Sequence, residues 1–554
     1  MVTETDKNST LAARKTKLAD KISLWFKDPY NKALFGVFFI AIALRLFYFF
    51  ITKTQPLWWD EAEYMMKSKR IAFDLLSWQD YWGPRKPILL AWVFVPFFKL
   101  GISEVVMRFT LALMSILGVY SSYLVAKEFF DKKVALIATA IMSVFWVGLF
   151  FTGRFLVEMP ATPFFMFALY FFSKGYIKKE SPKYVWLFGI FFTIGFLMRV
   201  SYGIFLIPIV VYLLLEDNLK IILKKDLWIA VILGFIVALP FFIYLFNTFP
   251  DDPLGRFIGA KYGRFSFGQE HGSMGWPGVP LYFKELPNVM GAYIPPTASY
   301  GNIEYYFASP FFLLMVAGFA IFFMDLLLGL DLLFKKEYTG LRVKIMIIIW
   351  ILIAMVAFGL TRSYVEQRDT LPIAIFFFSF AAMAIIRIQD YIGKFNKTLG
   401  VLFVIGVIVL GAIPQLTYAY ALTISKVDSY GPVKDAALWI KQNSQPRDIV
   451  FTMSSPQNQY YSDRETYSFS GMGLEEFEGN FTTRKPKYLI LSAFEPYWLN
   501  QKFDFNQWIQ NNSNRMSIPV EPWYSDPATK QQPVLIIYQI NWDNNNTLNN
   551  SLFT

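Results

Sequence analysis

Residues 87–100 read PILLAWVFVPFFKL, and whether this stretch crosses a bilayer or lies against it decides how the whole chain is threaded. It is 14 residues long and contains Lys99, whereas a membrane-crossing helix needs about 20 apolar residues. If it crossed, the loops holding Lys127, Lys132 and Lys133, and then Lys174, Lys178, Lys179 and Lys183, would both fall outside, against the tendency of basic loops to stay in the cytoplasm. If it is re-entrant or interfacial, both fall inside. The alternation then continues through Lys220, Lys224 and Lys225, through Lys335, Lys336 and Arg342, and through Arg387, Lys394 and Lys397. The segment is therefore read as a non-spanning amphipathic helix.

Apolar runs of spanning length recur from Leu34 to Ile424, which predicts about eleven transmembrane helices. The first run, Leu34 to Ile51, follows Lys7, Arg14, Lys15, Lys17, Lys21, Lys27 and Lys32, so the N-terminal segment 1–33 is placed in the cytoplasm and the run is read as an uncleaved anchor. Within that segment Leu18, Ile22, Trp25 and Phe26 share one helical face, the pattern of an interfacial helix. The transmembrane domain is expected over 34–424, with outer loops at 52–104 and 250–304. The two runs meeting at Arg199 are short for two full spans.

After Ile424 the composition changes. Gly431–Asn443 and Ala493–Ile509 read as helices, and Ile449–Met453, Tyr488–Leu491 and Pro533–Ile540 as short strands. The fold class is thus a mainly α polytopic membrane protein, with juxtamembrane helices in the first outer loop and a small extracytoplasmic α/β domain over 425–540. The Asn-rich end, 541–554, reads as a disordered tail. Sequons at Asn480, Asn511, Asn545 and Asn549 are weak signals, because an Asn-rich chain produces them by chance.

Composition agrees with this class. Of 554 residues, 55% are hydrophobic and 17% charged, against about 25% charged in soluble proteins. The 52 Lys and Arg outnumber the 41 Asp and Glu and leave a net charge of +11. Basic cytoplasmic loops account for that excess, so no nucleic-acid partner is expected. There is no Cys, and any metal site would draw on carboxylates and one His.

Acids beside an apolar core are costly and need a reason. The first outer loop contains Leu57-Trp58-Trp59-Asp60-Glu61-Ala62-Glu63-Tyr64. Its bland reading is a solvated helix start with Asp60 as N-cap. A second acid, Glu158, stands in Arg154-Phe155-Leu156-Val157-Glu158-Met159-Pro160 between two apolar runs, on the side the threading assigns to Asp60. One carboxylate can act as general base while another orients it or holds substrate. Basic residues on that side stand singly near span ends: Arg85, Lys86, Arg154, Arg199, Arg362 and Arg368. Single cations there suit a phosphate, although snorkelling to headgroups is the bland alternative for Arg154 and Arg362. Arg45, inside the first span, either snorkels or reaches the same cleft. Acids and phosphate-binding cations in one outward cleft suit a lipid-linked phosphate substrate.

At these residues the chain resembles the C-type glycosyltransferases that use polyprenyl-phosphate sugars, above all protein O-mannosyltransferases and the aminoarabinose transferase of lipid A. The likeness runs from about Arg45 to Leu371, and the tail looks like the outer domain of bacterial and archaeal members. It rests on Asp60-Glu61 with Tyr64, Lys86-Pro87, Arg108, Arg154 with Glu158-Met159-Pro160, Arg199, and Arg368 with Leu371-Pro372. Glu158 replaces a more usual Asp, Ile88 replaces the second Pro of a basic-Pro-Pro motif, and the last motif reads Arg-Asp-Thr-Leu-Pro.

The resemblance implies an inverting transfer. Asp60 would take the proton from an acceptor hydroxyl, and Glu158 would hold the acceptor or steady Asp60. Lys86, Arg199 and Arg368 would stabilise the departing lipid phosphate, with Glu61 and Tyr64 also lining the substrate site. In the long loop, Trp276-Pro-Gly-Val-Pro-Leu-Tyr282-Phe resembles the family's cleft-lining aromatic stretch, which makes Tyr282 and His271 substrate-binding candidates. A loop His is nevertheless more often bland than a ligand. No cofactor or metal is expected. The partners implied are a polyprenyl- or dolichyl-phosphate sugar donor, a protein, glycan or lipid acceptor, and membrane lipids, at an archaeal or bacterial plasma membrane. The rivals are an oligosaccharyltransferase of the same superfamily, whose Trp-Trp-Asp motif belongs in the outer domain and not the first loop, and a lipid or sugar transporter, which would carry repeated halves and mid-membrane charges.

Overall fold

The computed structural model describes residues 20–75, 78, 89–248, 250–251, 253, 276–292, 309–332, 339–361, 365–494, 504–525 and 528–542. Lys86 and His271, like Arg85, Arg362, Asn545 and Asn549, lie outside the described residues. The helices are α1 Pro29–Thr52, α2 Trp59–Ala72, α3 Leu89–Lys99, α4 Glu104–Phe129, α5 Lys132–Val144, α6 Trp146–Phe150, α7 Glu158–Phe172, α8 Pro182–Met198, α9 Leu206–Asp217 and α10 Lys225–Thr248. They continue with α11 Gly278–Gly291, α12 Phe311–Leu327, α13 Thr339–Thr361, α14 Leu371–Gly393, α15 Lys397–Lys426, α16 Gly431–Asn443, α17 Ser455–Ser462, α18 Leu474–Arg484 and α19 Phe505–Asn511. The strands are β1 Ile449–Thr452, β2 Glu465–Tyr467, β3 Tyr488–Ser492, β4 Met516–Ser517, β5 Trp523–Tyr524 and β6 Pro533–Ile540.

Among the described residues, 6 helices are long and apolar enough to cross a membrane: α1, α4, α10, α13, α14 with the turn before it, and α15. Shorter apolar helices are α3, α8 and α12. The chain is a multi-pass helical membrane protein. Helix α3 has 11 described residues and follows the undescribed stretch 79–88. Residues 20–27 are helical, with Ile22 50% and Trp25 42% exposed, as an interfacial face requires.

The chain divides into two compact units. The membrane unit comprises Met1–Phe50, Thr110–Gly153 and Glu158–Thr423. Its outward positions stay apolar, Phe39, Val231, Leu313 and Ile405 being more than half exposed, as lipid contact allows and water does not. Inside, backbones approach where Gly permits it: a Cβ on Gly318 of α12 would stand 1.7 Å from the Phe380 carbonyl oxygen of α14.

The apolar run from Val134 to Phe151 breaks at Phe145 into α5 and α6. A broken helix at membrane depth needs partners for its freed polar groups, and the side chains of Gln415 and Arg45 supply them. Gln415 of α15 accepts from the Trp146 amide at 3.0 Å and donates to the Met290 carbonyl at 2.7 Å, while the Trp146 indole donates to the Val289 carbonyl at 2.8 Å. Arg45 is fully buried and donates to the Ser143 carbonyl and the Ser115 hydroxyl, each at 3.1 Å. It thus turns inward to the C-terminal end of α5, where the helix dipole favours a cation.

The second unit comprises Ile51–Phe109, Arg154–Val157 and Ile424–Thr554. Its sheet has the order β2-β1-β3-β6-β4, with β5 also on β6. Strand β1 lies parallel to both β2 and β3, and β6 runs antiparallel to β3, β4 and β5. Alternate residues feed opposite faces. Val450, Tyr488, Ile490, Leu535 and Ile537 pack with Val433, Ala436 and Ile440 of α16, whereas Phe451, Leu489 and Ile540 pack with Phe477, Phe481 and Trp508. Gly431–Asn443 and Pro533–Ile540 form at the bounds read from sequence. Of the helix expected over Ala493–Ile509, residues 495–503 lie outside the described residues, and α19 begins at Phe505.

Helix α17, Ser-Pro-Gln-Asn-Gln-Tyr-Tyr-Ser, is buried throughout despite its polar composition. It packs against α2 and α16: the Tyr461 hydroxyl accepts from the Leu57 amide at 2.9 Å, and Lys69 donates to the Tyr460 carbonyl at 2.7 Å and pairs with Asp463. Burial works against a charged Asp463, but Lys69 and Lys441 outweigh it and hold the carboxyl below its usual range. Asn480 lies within α18 and donates to the Glu476 carbonyl at 2.9 Å, so the folded helix holds this sequon in helical form.

Candidate functional site

In the membrane unit, charged residues converge on the start of α7. Glu158 opens that helix with Pro160 two residues on; a first-turn carboxylate meets the positive end of the helix dipole, and Pro there gives up no intrahelical hydrogen bond. At the end of α8 the backbone turns extended at Arg199 (φ −146°, ψ 99°), which frees its guanidinium to reach sideways. Arg199 donates to Glu158 Oε1 through one terminal nitrogen, to Asp369 Oδ1 through the other, and to Ser201 Oγ through Nε at 3.1 Å. Its guanidinium also stands 5.0 Å from the ring centre of Tyr202.

Asp369 and Arg368 come from the short helical turn Gln367–Thr370 that leads into α14. Arg368 Nε lies 2.5 Å from Glu366 Oε2 and 3.2 Å from Glu158 Oε1. The Tyr282 hydroxyl, from α11, donates to Asp369 Oδ2 at 3.2 Å and accepts from the Glu366 amide at 3.4 Å. Glu158, Arg199, Tyr282, Glu366 and Asp369 are all buried, Asp369 completely. Three carboxylates therefore share two guanidinium groups in a place where unpaired charge is costly.

Oxygens of Glu158, Glu366 and Asp369 lie within 4.8 Å of one another, close enough to hold one cation. In this structure Arg199 and Arg368 already share them. The Oε2 atom of Glu158 is buried and accepts no hydrogen bond. The cluster thus has a ring of fixed charges and one carboxylate oxygen left as an acceptor.

The second unit holds another charged group. Trp58, not Asp60, is the N-cap of α2, and Glu61 closes the helix start by accepting from the Trp58 amide at 2.9 Å. Its other oxygen accepts from the Phe155 amide at 3.0 Å. Arg154 lies 3.4 Å and Arg108 3.9 Å from the same carboxylate, which is fully buried. Arg154 also stacks on Trp58, 3.7 Å from the ring centre, and Arg108 binds Glu104 at 2.9 Å and the Gln55 carbonyl at 2.7 Å. Arg154 is thereby an internal strut and does not snorkel. Asp60 follows as a half-buried residue in the first turn of α2, and Tyr64 is buried one turn further on.

The structure therefore brings Glu158, Arg199, Arg368 and Tyr282 together in the membrane unit. It places Asp60, Glu61 and Tyr64 on one helix of the second unit, with the Glu61 carboxylate engaged by the protein itself. Two members of the membrane cluster, Glu366 and Asp369, were not singled out from the sequence. The signal was present: both are acids just ahead of an apolar run, the criterion that selected Asp60 and Glu158.

Residues 85–244 match the family model described as dolichyl-phosphate-mannose-protein mannosyltransferase, a stretch that includes Arg108, Arg154, Glu158 and Arg199. No curated protein matches the chain by sequence. Among solved structures, the fold is similar to that of ArnT from Cupriavidus metallidurans bound to undecaprenyl phosphate. The identity is 14% and the TM-score 0.62, over 91% of this chain and 98% of that one. It is also similar to the oligosaccharyltransferase AglB from Archaeoglobus fulgidus in complex with an inhibitory peptide and a dolichol-phosphate, at 14% identity and a TM-score of 0.54, over 85% and 70% of the two chains. The family match and the shared fold bear out the resemblance to membrane glycosyltransferases read from the sequence.

Proposed function

We propose that this chain is an integral membrane glycosyltransferase that moves a single sugar from a polyprenyl- or dolichyl-phosphate donor to an acceptor hydroxyl on the outer face of the membrane. Asp60 acts as general base and takes the acceptor proton. The acceptor oxygen forms its bond to the anomeric carbon from the face opposite the lipid phosphate, the bond from that carbon to the phosphate oxygen breaks, and the lipid phosphate leaves with the electron pair. Configuration inverts. Glu158 holds the acceptor hydroxyl, and Lys86, Arg199 and Arg368 balance the charge growing on the phosphate. The threading has about eleven spans, with the C-terminal α/β domain and the first-loop helices outside.

The observation that carries this reading is the buried cluster at the mouth of α7. An acid with an open oxygen, held by two fixed guanidinium groups, offers an acceptor for a hydroxyl in surroundings where it counts for more than in water. It lies partly within the stretch matched by the mannosyltransferase family model.

The test is to incubate purified protein with a panel of polyprenyl-phosphate hexoses and pentoses and to follow release of free polyprenyl phosphate. Release from at least one donor, with the sugar appearing on a hydroxyl or on water, is expected. A transporter would leave every donor intact, and an oligosaccharyltransferase would act only on a pyrophosphate- or phosphate-linked glycan with an amide acceptor.

A further inference from the structure

Arg–carboxylate pairs are frequently two-pronged, the guanidinium fork binding both oxygens of one acid. Arg199 does not do this. Its two terminal nitrogens are divided between Glu158 Oε1 and Asp369 Oδ1, and its Nε is taken by Ser201. Glu158 is thus bound through one oxygen only; Arg368 approaches that same Oε1, and Oε2 stays buried with no hydrogen bond. A buried carboxylate oxygen without a partner is costly, and here a second acid maintains it.

We propose that Asp369 is a positioning residue: by holding one arm of Arg199, it keeps the guanidinium off Glu158 Oε2 and so leaves that oxygen open to accept a hydrogen bond from a substrate hydroxyl. Asp369 suits this task. It is completely buried, it sits at the start of α14, where the helix fixes its backbone, and its second oxygen is held by the Tyr282 hydroxyl. Asp369 itself touches no substrate in this scheme. Without its charge, Arg199 keeps one full counter-charge, Glu158, and the two-pronged pairing closes Oε2.

The inference rests on the reading that Glu158 binds the hydroxyl substrate, so the experiment carries Glu158→Gln beside Asp369→Asn. Turnover is measured with the polyprenyl-phosphate sugar that wild type cleaves fastest, affinity with undecaprenyl phosphate as probe, and the Arg199 pairing from a density map of each variant. Asp369→Asn is expected to show Arg199 forked over both Glu158 oxygens and to lose at least tenfold in turnover, with undecaprenyl phosphate affinity kept within about twofold. Asp369→Glu, which keeps the charge, should leave Arg199 divided and recover most of the rate. It also decides the matter if Asp369→Asn does not accumulate, since an Asp369→Glu protein with Arg199 forked on Glu158 contradicts the proposal. Wild-type turnover in Asp369→Asn while Glu158→Gln is inactive would overturn the positioning role alone. Wild-type turnover in Glu158→Gln would overturn the functional reading, and this inference with it.

Discussion

At Glu61 the structure assigns a load that the sequence left open. This carboxylate caps α2, receives the Phe155 amide and faces Arg108 and Arg154, so Glu61→Ala removes a buried counter-charge that two cations face, Arg108 keeping Glu104. A loss of about 3–5 kcal/mol is expected, read as a large fall in detergent-solubilised melting temperature; a change under about 1 kcal/mol would reassign the residue. Arg368→Ala removes a cation proposed to face the departing phosphate, and donor turnover should fall about 100-fold or more; because it also leaves Glu158 and Glu366 with one cation fewer, the melting temperature should fall as well. For Asp463 the sign follows from its lowered carboxyl: the contribution is full above the unfolded value near 4 and is lost as pH falls through the lower folded value. Asp463→Asn should therefore lower the melting temperature at pH 7, and the gap to wild type should close in acid below about pH 4. Proximity was legible at Glu158, Arg199 and Arg368, charged residues beside apolar runs that the fold brings into one cluster. It was not legible that Glu61, Asp60's neighbour, turns inward, because only tertiary packing tells which of two adjacent acids faces the protein.

At the scale of elements, the break between α5 and α6 shows what hydropathy cannot see. The run is apolar throughout, and the partners that stabilise its break, Arg45, Gln415 and Trp146 with the Met290 and Val289 carbonyls, come from residues far apart in the chain. Gln415→Leu strands the Trp146 amide and the Met290 carbonyl and should cost about 1–3 kcal/mol in stability, again by melting temperature. Strand β2, three residues long, escaped the sequence because its evidence is its parallel pairing with β1. Helix α17 escaped because polar residues usually mark a solvated face, yet these are buried between α2 and α16. By contrast, α16 and β6 were legible to the residue, since their apolar periods are regular and their ends carry clear stop signals.

For the whole molecule, the sequence conveyed the class, a mainly helical multi-pass membrane protein with a small sheet near its C-terminal end, because bilayer thickness acts on long, local stretches. It did not convey that the first-loop helices and the C-terminal α/β sheet form one compact unit, since contacts such as Leu57 with Tyr461 join residues 404 apart. The account stands on acid-assisted transfer of a sugar from a lipid phosphate. Its most direct test is single-turnover cleavage of a polyprenyl-phosphate sugar by wild type and by Asp60→Asn, with undecaprenyl phosphate binding measured on both. Asp60→Asn is expected to bind the lipid as wild type does and to turn over at least about 100-fold more slowly. Equal turnover by the two proteins would contradict it.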